Sequence, residues 1–594
     1  MAGDCGGALY KRVGSAPAHG GKFQSADGAW WEIAEAVVTP QMFGAVGGGT
    51  TDDSAAFIAA IQYLKFAVPQ FTRTADGQAE LFVPAGVYRL NQSGVLSNIN
   101  AVTRGGYKMR GEGRDATVIW LDCTDGATKW LYGNGGSQRN WGCTFEGISF
   151  AGGTDWHRRD AVGATNGLAN INAFAKGFKI SGPNWESAHH FIDCGFRFFE
   201  QTFEWAGSNN ADVTAFTACN FDRNRHLFAI NNPQALSHSL TDCYAETNYG
   251  NVLVYGAATA GGGAFNWKGG AIIQLEDAAA DTYVVNIPTT TVGPDAGNSN
   301  VTFTGLHIEL RGNRTHVSKN TGIGFCTLAF EQCNILSTAT AQKEWTETAG
   351  FNTTLFRDCA FKEQTPVTGY HVIAGSLGAT ASARRGKNAA LRFLGACILQ
   401  ADFFTADTAL ATALSAAKAS KGIVWKDGRG LLEVDDGCSA DTADLSAQPR
   451  VIALACSVHG LANDSYTVGR SGKLRTINPF FSTVPSALIA GTTLGIPPFV
   501  TVVRAWMRLN GAGLTSATNV RLNISNGDKS VLYGQSTAQA INTAGGHLLV
   551  TNIYLRISDD TISRQLTFWL DNGAGADANS NVNAGLIIGG VEYS

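Results

Sequence analysis

Apolar residues recur along the middle of the chain in one short pattern. The pattern reads apolar, any, any, Cys, any, apolar, and its copies are Phe191–Phe196, Phe216–Phe221, Leu240–Ala245, Phe330–Ile335, Phe356–Phe361 and, more loosely, Phe393–Ile398. Cys194, Cys219 and Cys243 are 25 and 24 residues apart in this numbering. A period near 25 residues with strand-forming residues and no interleaved helical pattern predicts the stacked coils of a β-solenoid.

Alternation within each strand assigns the faces of these coils. If cysteine points inward, the residue two positions later also points inward, and the residues one and three positions later point outward. We therefore expect Cys194, Cys219 and Cys243 to form an inward ladder of free thiols. The aspartates that precede some cysteines are predicted to be polar groups of a turn or ladder; they are Asp193, Asp242 and Asp358. A propeller would require four strands per blade and a longer period.

A helix is predicted ahead of the repeat, over residues 58–68. Asp52 or Asp53 can cap its N-terminus and interact favourably with the helix dipole. Since an open solenoid end is apolar and must be covered, this helix is predicted to be a cap. Its candidate core residues are Phe57, Ile61, Leu64 and Phe66.

The pattern changes after about residue 400. Residues 405–430 are predicted to be a connector, because their first part is rich in alanine and has helical propensity. Separate strands bounded by turns such as Asn526-Gly527 and Asn572-Gly573 predict a β-sandwich over 431–594. The chain is thus divided into a leader at 1–38, a β-helix at 39–404, the connector and the sandwich.

Composition and charge exclude several functions. The net charge of −4 without a basic block disfavours nucleic-acid binding, and no apolar run approaches the length needed to span a bilayer. Residues 1–20 lack an apolar signal region, so we expect synthesis in a cytoplasm. The twelve cysteines show neither CxxC pairs nor Cys/His pairs at zinc spacing. We therefore expect no metal site and no cofactor, and interpret most cysteines as small buried apolar residues.

Three segments carry a family resemblance. Residues 43–57 read FGAVGGGTTDDSAAF, residues 81–88 read LFVPAGVY, and residues 110–119 read RGEGRDATVI. In this order they resemble the start of pectate-lyase-like β-helix proteins, above all the bacteriophage tailspikes. Residues 7–35, with the run DGAWW, resemble the leader that precedes such domains in phage tail proteins.

The resemblance implies an all-β chain whose centre is a right-handed single-stranded parallel β-helix. It also implies a homotrimeric spike of the virion that is made in the cytoplasm of the infected bacterium and joined to the phage tail or an adapter protein. Such a spike binds and degrades a bacterial surface polysaccharide: capsule, exopolysaccharide or O-antigen. The C-terminal domain of such spikes clamps the trimer or binds sugar. Because the motifs of polygalacturonases are absent at matching places, no catalytic residue is carried over from that family.

Candidate catalytic residues follow from the outward column three positions after cysteine. Glycoside hydrolysis requires two carboxyl groups at a set separation, and this column holds Arg197, Asp222, Glu246 and, if Leu306 aligns with cysteine, Glu309, followed by Leu336 and Lys362. We expect Asp222 and Glu246 one coil apart, and Glu309 two or three coils beyond Glu246 unless residues 293–300 form an excursion. Glu309 is the first choice for an essential acid or base, Glu246 or Asp222 is its partner, and crowding of these like charges is expected to raise one carboxyl pKa.

His307 shares the outward face of Glu309 and completes the catalytic candidates. With Arg311 it could also serve a lyase, in which a base removes the proton beside a uronate carboxylate and a cation stabilises the charge. Each of these residues could instead be an ordinary solvated group.

Substrate-binding candidates are aromatic and cationic side chains. They are Trp205, Trp156, Trp185, Arg311, Lys268 and Arg223. Any of the tryptophans could instead be packed in the core or at a subunit contact. Three functions stay open: a hydrolase, which is preferred, a lyase, and a non-catalytic adhesin on the same scaffold. An alternative site is an inter-subunit groove that includes Glu200 and Glu204.

Overall fold

The structure is a computed structural model of the 594-residue chain. It describes residues 7–35, 37–67, 80–97, 106–133, 142–153, 171–181, 187–208, 210–256, 263–276, 280–288, 299–322, 326–338, 343–349, 352–363, 371–376, 390–400, 424–425, 431–434, 439–441, 475–482, 492–495, 501–511, 521–525, 531–537, 545–556, 565–571 and 587–593. The chain divides into two compact units, Met1–Thr346 with Cys359–Thr368 and Glu347–Asp358 with Gly369–Ser594.

The described elements are almost all strands. One α-helix, α1, spans Ser54–Ala67, and two short 3-10 helices span Pro40–Phe43 and Val95–Ser97. The strands up to residue 287 are β1 Tyr10–Val13, β2 Lys22–Gln24, β3 Trp30–Ile33, β4 Val37–Val38, β5 Gly48–Asp52, β6 Glu80–Val83, β7 Gly86–Leu90, β8 Lys108–Gly111, β9 Thr117–Leu121, β10 Lys129–Gly133, β11 Thr144–Glu146, β12 Ser149–Ala151, β13 Asn172–Ile180, β14 His189–Ile192, β15 Gly195–Arg197, β16 Phe199–Trp205, β17 Thr214–Thr217, β18 Asn220–Asp222, β19 His226–Ile230, β20 His238–Asn248, β21 Leu253–Tyr255, β22 Gly263–Leu275 and β23 Thr282–Ile287.

The remaining strands continue to the C-terminus. They are β24 Ser299–Thr304, β25 His307–Arg311, β26 Thr315–Asn320, β27 Cys326–Glu331, β28 Asn334–Ser337, β29 Lys343–Ala349, β30 Thr353–Arg357, β31 Ala360–Glu363, β32 His371–Ser376, β33 Ala390–Leu394, β34 Ile398–Gln400, β35 Val424–Trp425, β36 Leu431–Val434, β37 Ser439–Asp441, β38 Arg475–Ser482, β39 Thr492–Gly495, β40 Thr501–Gly511, β41 Arg521–Ser525, β42 Leu532–Gln535, β43 Gly545–Arg556, β44 Gln565–Asp571 and β45 Ile587–Tyr593. Within the described part of the chain, no helix is long and apolar enough to cross a bilayer.

Three parallel stacks of strands build the first unit. The first stack has the order β4-β6-β8-β11-β14-β17-β20-β22-β24-β27, the second β5-β7-β9-β12-β15-β18-β20-β22-β25-β28-β31, and the third β10-β13-β16-β19-β21-β23-β26. Successive coils add one strand to each stack, and the strands β20 and β22 run through two stacks. This arrangement confirms a parallel β-helix, and its right-handed sense stays a prediction.

The core between the stacks consists of repeated rungs. Phe191 stacks on Phe216 with ring centroids 5.0 Å apart, and Phe196 stacks on Phe221 at 5.1 Å. Each buried phenylalanine contributes roughly 1.5–3 kcal/mol relative to exposure. The cysteines of the repeat are buried and free, which confirms the inward thiol ladder of Cys194, Cys219 and Cys243.

Sharp corners separate the first and second stacks. On several coils the residue before the cysteine has a positive φ, 48° at Asp193, 53° at Ala218 and 52° at Asp242. Aspartate tolerates this left-handed conformation better than most side chains do. The structure thus places the aspartates that precede cysteine at turns, as the sequence predicted.

Helix α1 lies at the first coils. Phe57, Ile61 and Leu64 are buried, whereas the side chain of Phe66 lies outside the described residues. The two acids ahead of α1 differ in role. Asp52 Oδ1 accepts the Ser54 N–H at 3.1 Å and the Ser54 hydroxyl at 2.6 Å.

Asp53 does not cap the helix with its side chain. Its carboxylate accepts the backbone N–H groups of Val46 at 2.7 Å and of Gly47 at 3.2 Å. The Asp53 side chain therefore orders the preceding loop, and its backbone carbonyl accepts the Phe57 N–H at 3.1 Å, whereas Asp52 binds the start of α1 through its side chain.

The second unit contains parallel and antiparallel strands. The pairs β30–β33, β33–β36, β34–β37 and β32–β35 are parallel, so parallel pairing extends past residue 404, where the sequence predicted the coils to end. Two four-stranded antiparallel sheets follow, with the orders β38-β45-β40-β43 and β39-β44-β41-β42. Most of the predicted connector lies outside the described residues.

Candidate active site

The outward acidic column is present in the second stack. Arg197 pairs with Asp222, and Asp222 pairs with Glu246. Asp222 and Glu246 therefore lie on neighbouring strands, as the sequence predicted. Their backbones are about one strand spacing, ~4.8 Å, apart.

Glu309 lies two strands from Glu246. The strand between them is β22, on which Ala245 pairs with Ile272 and Ile273 pairs with Glu309. Glu309 then pairs with Leu336, so the acidic part of the column ends at Glu309. Glu246 and Glu309 are therefore two coils apart, which is the smaller of the two numbers predicted from the sequence.

Glu309 is held by the arginine two residues further along β25. Arg311 Nε donates to Glu309 Oε1 at 2.8 Å, and Arg311 Nη2 lies 3.4 Å from Glu309 Oε2. His307 Nε2 is 4.0 Å from the same Oε2. The Glu309 side chain is only 14% exposed, whereas those of His307 and Arg311 are 41% and 43% exposed. A partly buried carboxylate thus lies between two accessible nitrogen groups.

Arg311 connects the two glutamates electrostatically. Its pKa is raised, first by the hydrogen bond to Glu309 and then by the negative charges of Glu309 and Glu246, while burial opposes the shift. Because an arginine is never deprotonated at physiological pH, it supplies a fixed positive charge to both carboxylates.

Tyr244 belongs to the same cluster and was missed by the sequence analysis. Burial raises the pKa of its phenol, and the charges of Glu246, Glu309 and Asp222 raise it further. The ring is nevertheless 37% exposed. Tyr244 directly follows Cys243, so the alternation rule could have predicted that its side chain points outward. We call Tyr244, Glu246, Glu309 and Arg311 the acidic cluster.

The floor of the acidic cluster is apolar. Ala271 pairs with Tyr244 on one side and with His307 on the other. Ala271 and Ile273 are buried although the strand places them on the outer face. Neighbouring side chains therefore cover both residues.

Asp222 has different neighbours. Arg223 Nε lies 3.7 Å from its Oδ1. The buried Tyr249 lies close enough to both residues to feel their charges. Burial raises the pKa of its phenol, the Arg223 charge lowers that pKa, and the Asp222 charge raises it. Arg223 therefore adjoins the acidic column at Asp222.

The predicted tryptophan contacts require a correction. Trp205 is fully buried, its indole N–H donates to Thr214 Oγ1 at 3.1 Å, and its ring lies 4.1 Å from His238. It follows Phe203 by two positions on one strand, and both rings point into the core. Trp205 therefore cannot stack on a bound sugar, while Trp156 and Trp185 lie outside the described residues.

Two further predictions concern more distant charges. Lys268 is exposed on β22, but its pairing partners are Thr241 and Thr304 of the first stack, so it is not part of the acidic column. Glu200 and Glu204 lie on the third stack, where Arg225 is 3.7 Å from Glu200 and Asn231 donates to Glu204 at 2.9 Å.

Metal ions in proteins are held by groups of His, Cys, Asp or Glu side chains. Among the described residues, no group of three or more of these side chains could hold a metal ion. The side chains of the acidic cluster are two carboxylates, a phenol and a guanidinium, and the neighbouring His307 adds an imidazole.

Comparisons with known proteins identify similar structures. No family model and no curated protein sequence matches the chain. The enzymatically active domain of tailspike protein 2 from bacteriophage CBA120 is 12% identical, with a TM-score of 0.42 over 98% of this chain and 87% of that one. The Acinetobacter phage vB_ApiP_P1 tailspike is 12% identical, with a TM-score of 0.40 over 96% and 89%. A Geobacillus virus E2 protein is 13% identical, with a TM-score of 0.40 over 89% and 78%. The structures that the chain resembles thus include several phage tailspike proteins.

Proposed function

We propose that this chain is a depolymerase that binds and hydrolyses a bacterial surface polysaccharide. The observation that supports the proposal is that Glu246 and Glu309 lie on the two strands that flank β22, with the positive charge of Arg311 acting on both. Two carboxyl groups at a fixed separation are what glycoside hydrolysis requires. The β-helix fixes that separation because its strands repeat at a constant spacing.

The hydrogen bonds suggest a role for each carboxyl group. Arginine can only donate, so both oxygens of Glu309 accept and the residue acts in its ionised form. Glu309 is then the general base that activates water. Glu246, the carboxyl that faces it across one strand, is the general acid that protonates the leaving oxygen.

The separation favours inversion at the anomeric carbon. Two strand spacings are about 9.6 Å, and inverting glycosidases hold their carboxyl groups about 6.5–9.5 Å apart to admit a water molecule. This strand spacing lies at the upper end of that range, so the proposed pair is closer to the geometry of inversion than to that of retention. The alternative pair, Asp222 and Glu246, is about 4.8 Å apart and would favour retention.

A lyase is the second candidate, and the exposed His307 favours it. Its Nε2 lies 4.0 Å from Glu309, and Arg311 is beside the same carboxylate. A neutral imidazole could remove the proton next to a uronate carboxylate, while Arg311 neutralises the resulting charge. A non-catalytic adhesin on the same scaffold is the third reading.

The assembly proposed with this function is that of a phage tailspike. We propose a homotrimer in the virion, attached through residues 1–38 to the phage tail or an adapter protein and made in the cytoplasm of the infected bacterium. Helix α1 would close the N-terminal end of the β-helix. The two antiparallel sheets of the second unit would form a β-sandwich that clamps the trimer or binds sugar.

Product analysis tests the proposal. Purified protein is incubated with a panel of capsules, exopolysaccharides and O-antigens, and the products are examined by mass spectrometry, ultraviolet absorbance and proton NMR. We expect fragments that have gained water, with the anomer at the new reducing end inverted. Fragments with an unsaturated, ultraviolet-absorbing sugar would instead establish a lyase. A polymer that is bound but remains intact would establish an adhesin.

A further inference from the structure

The outward column that holds Asp222 continues toward the N-terminus. Strand pairing places Arg197 beside Ala151, Ala151 beside Trp120, and Trp120 beside Arg89. These residues are therefore aligned along the column, parallel to the axis of the β-helix, with the buried Ala151 between Trp120 and Arg197. Trp120 lies three strands from Asp222, or about 14 Å at the usual strand spacing.

Trp120 is held in place by two contacts. Its indole Nε1–H donates to the carbonyl of Gly153 at 2.9 Å, and the guanidinium carbon of Arg89 lies 5.9 Å from the ring centroid. Arg89 is itself fixed, because its Nε donates to Asp122 Oδ2 at 2.8 Å and its Nη1 to the carbonyl of Thr50 at 2.7 Å. The ring orientation is thus set before any ligand arrives.

The polar end of Trp120 is already occupied within the protein. A partly exposed indole whose N–H is satisfied presents its hydrocarbon surface to solvent. The C–H face of a pyranose ring is the surface of a polysaccharide that complements such an indole. In contrast to Trp205, Trp120 is accessible and lies in line with the acidic column.

We propose that Trp120 is a distal sugar-binding platform, on which a pyranose ring of the polymer stacks while another part of the same chain lies at the acidic cluster. Cleavage of the polymer at the acidic cluster rests on the proposed function, whereas binding of a sugar ring at Trp120 does not depend on it. A polymer bound along the column passes Arg197 and Asp222 before it reaches Glu246. Short oligosaccharides that occupy only the acidic cluster do not reach Trp120.

A remote contact of this kind has a kinetic signature. It adds binding energy for long substrates and none for short ones. Replacing Trp120 by alanine should therefore raise KM for the polymer about tenfold, while kcat/KM for short oligosaccharides of the same polymer stays unchanged. The conservative change Trp120→Phe should restore most of the polymer affinity.

The matched control is Trp130→Ala. Trp130 is also partly exposed and has a cation near its ring, Lys176 Nζ at 5.4 Å, but it lies on the third stack, away from the column. We expect Trp130→Ala to keep the wild-type KM. Equal effects of the two alanine variants, or an equal loss on long and short substrates, would overturn the proposal. Thermal unfolding of each variant shows whether the protein is folded. If Trp120→Ala is misfolded, Trp120→Phe is compared with the wild type instead.

Binding without cleavage is tested separately, by affinity electrophoresis of the panel polymers. If the wild-type protein retards a polymer that it does not cut, loss of that retardation in Trp120→Ala supports the platform although hydrolysis fails. Unchanged retardation refutes the platform alone. If no panel polymer is bound at all, both proposals are refuted.

Discussion

Acid should destabilise this protein through two histidines in the core. His189 and His238 are each 1% exposed and lie on either side of Thr214 in the first stack. His189 Nε2 has no hydrogen-bond partner among the described residues. Burial lowers the pKa of both side chains from 6.5 to about 3, with smaller effects from His190 on the first and the Ala235 backbone on the second.

The sign and size of the effect follow from proton linkage. As pH falls, a histidine whose pKa is lower in the folded state is protonated in the unfolded state before it is protonated in the folded state. Stability is therefore fully present above pH 6.5 and is lost as pH falls from 6.5 toward 3. At pH 5, which is 1.5 units below the unfolded pKa, each histidine costs about 2 kcal/mol, or ~4 kcal/mol for the pair.

The assay is the free energy of unfolding in urea at pH 7.5 and pH 5. The double variant His189→Phe/His238→Phe should lose about 4 kcal/mol of pH dependence relative to wild type. Phenylalanine suits this ladder because Phe265 pairs with His238 on the next strand. The exposed His190, changed to glutamine, is the control: it should remove only its own small effect on the pKa of His189 and so keep nearly all of the pH dependence. A double variant with the full wild-type pH dependence would refute the reasoning.

Two further predictions concern the thiols and the assembly. Denatured but unreduced protein should titrate twelve free thiols, one for each cysteine of the sequence, and far fewer would contradict the inward ladder. Light scattering at micromolar concentration should give three times the 62.6 kDa mass of one chain, and the mass of a single chain would contradict the proposed trimer.

The repeat could be predicted from the sequence because cysteine marks its corners. The inward Cys column and the outward neighbours Asp222 and Glu246 follow from a period of two within strands and of about 25 between coils. The cysteine pattern did not reveal the coil that contains β22, because this coil has Gly270 at the position that pairs with Cys243. The sequence therefore could not decide how many coils separate Glu246 from Glu309.

The candidate site was only partly predictable. The error at Trp205 was avoidable, since Phe203 two residues earlier is a core residue and alternation puts both rings inward. The same alternation rule assigns Tyr244 and Trp120 to outward positions. Their relevance depends on which coils are neighbours, and that follows from strand register rather than from any local pattern.

The most direct test of the proposed function is the rate of reducing-end release by carboxyl-to-amide variants on the polymer that the wild-type protein cuts. Glu309→Gln and Glu246→Gln should each lower turnover by at least about a hundredfold, with polymer binding retained because the shape of the surface is unchanged. Asp222→Asn shows whether that residue, rather than Glu246, is the partner of Glu309. The control Glu204→Gln, on the third stack, should keep the wild-type rate. Near-normal rates for all three column variants would contradict the assignment of the acidic cluster as the active site.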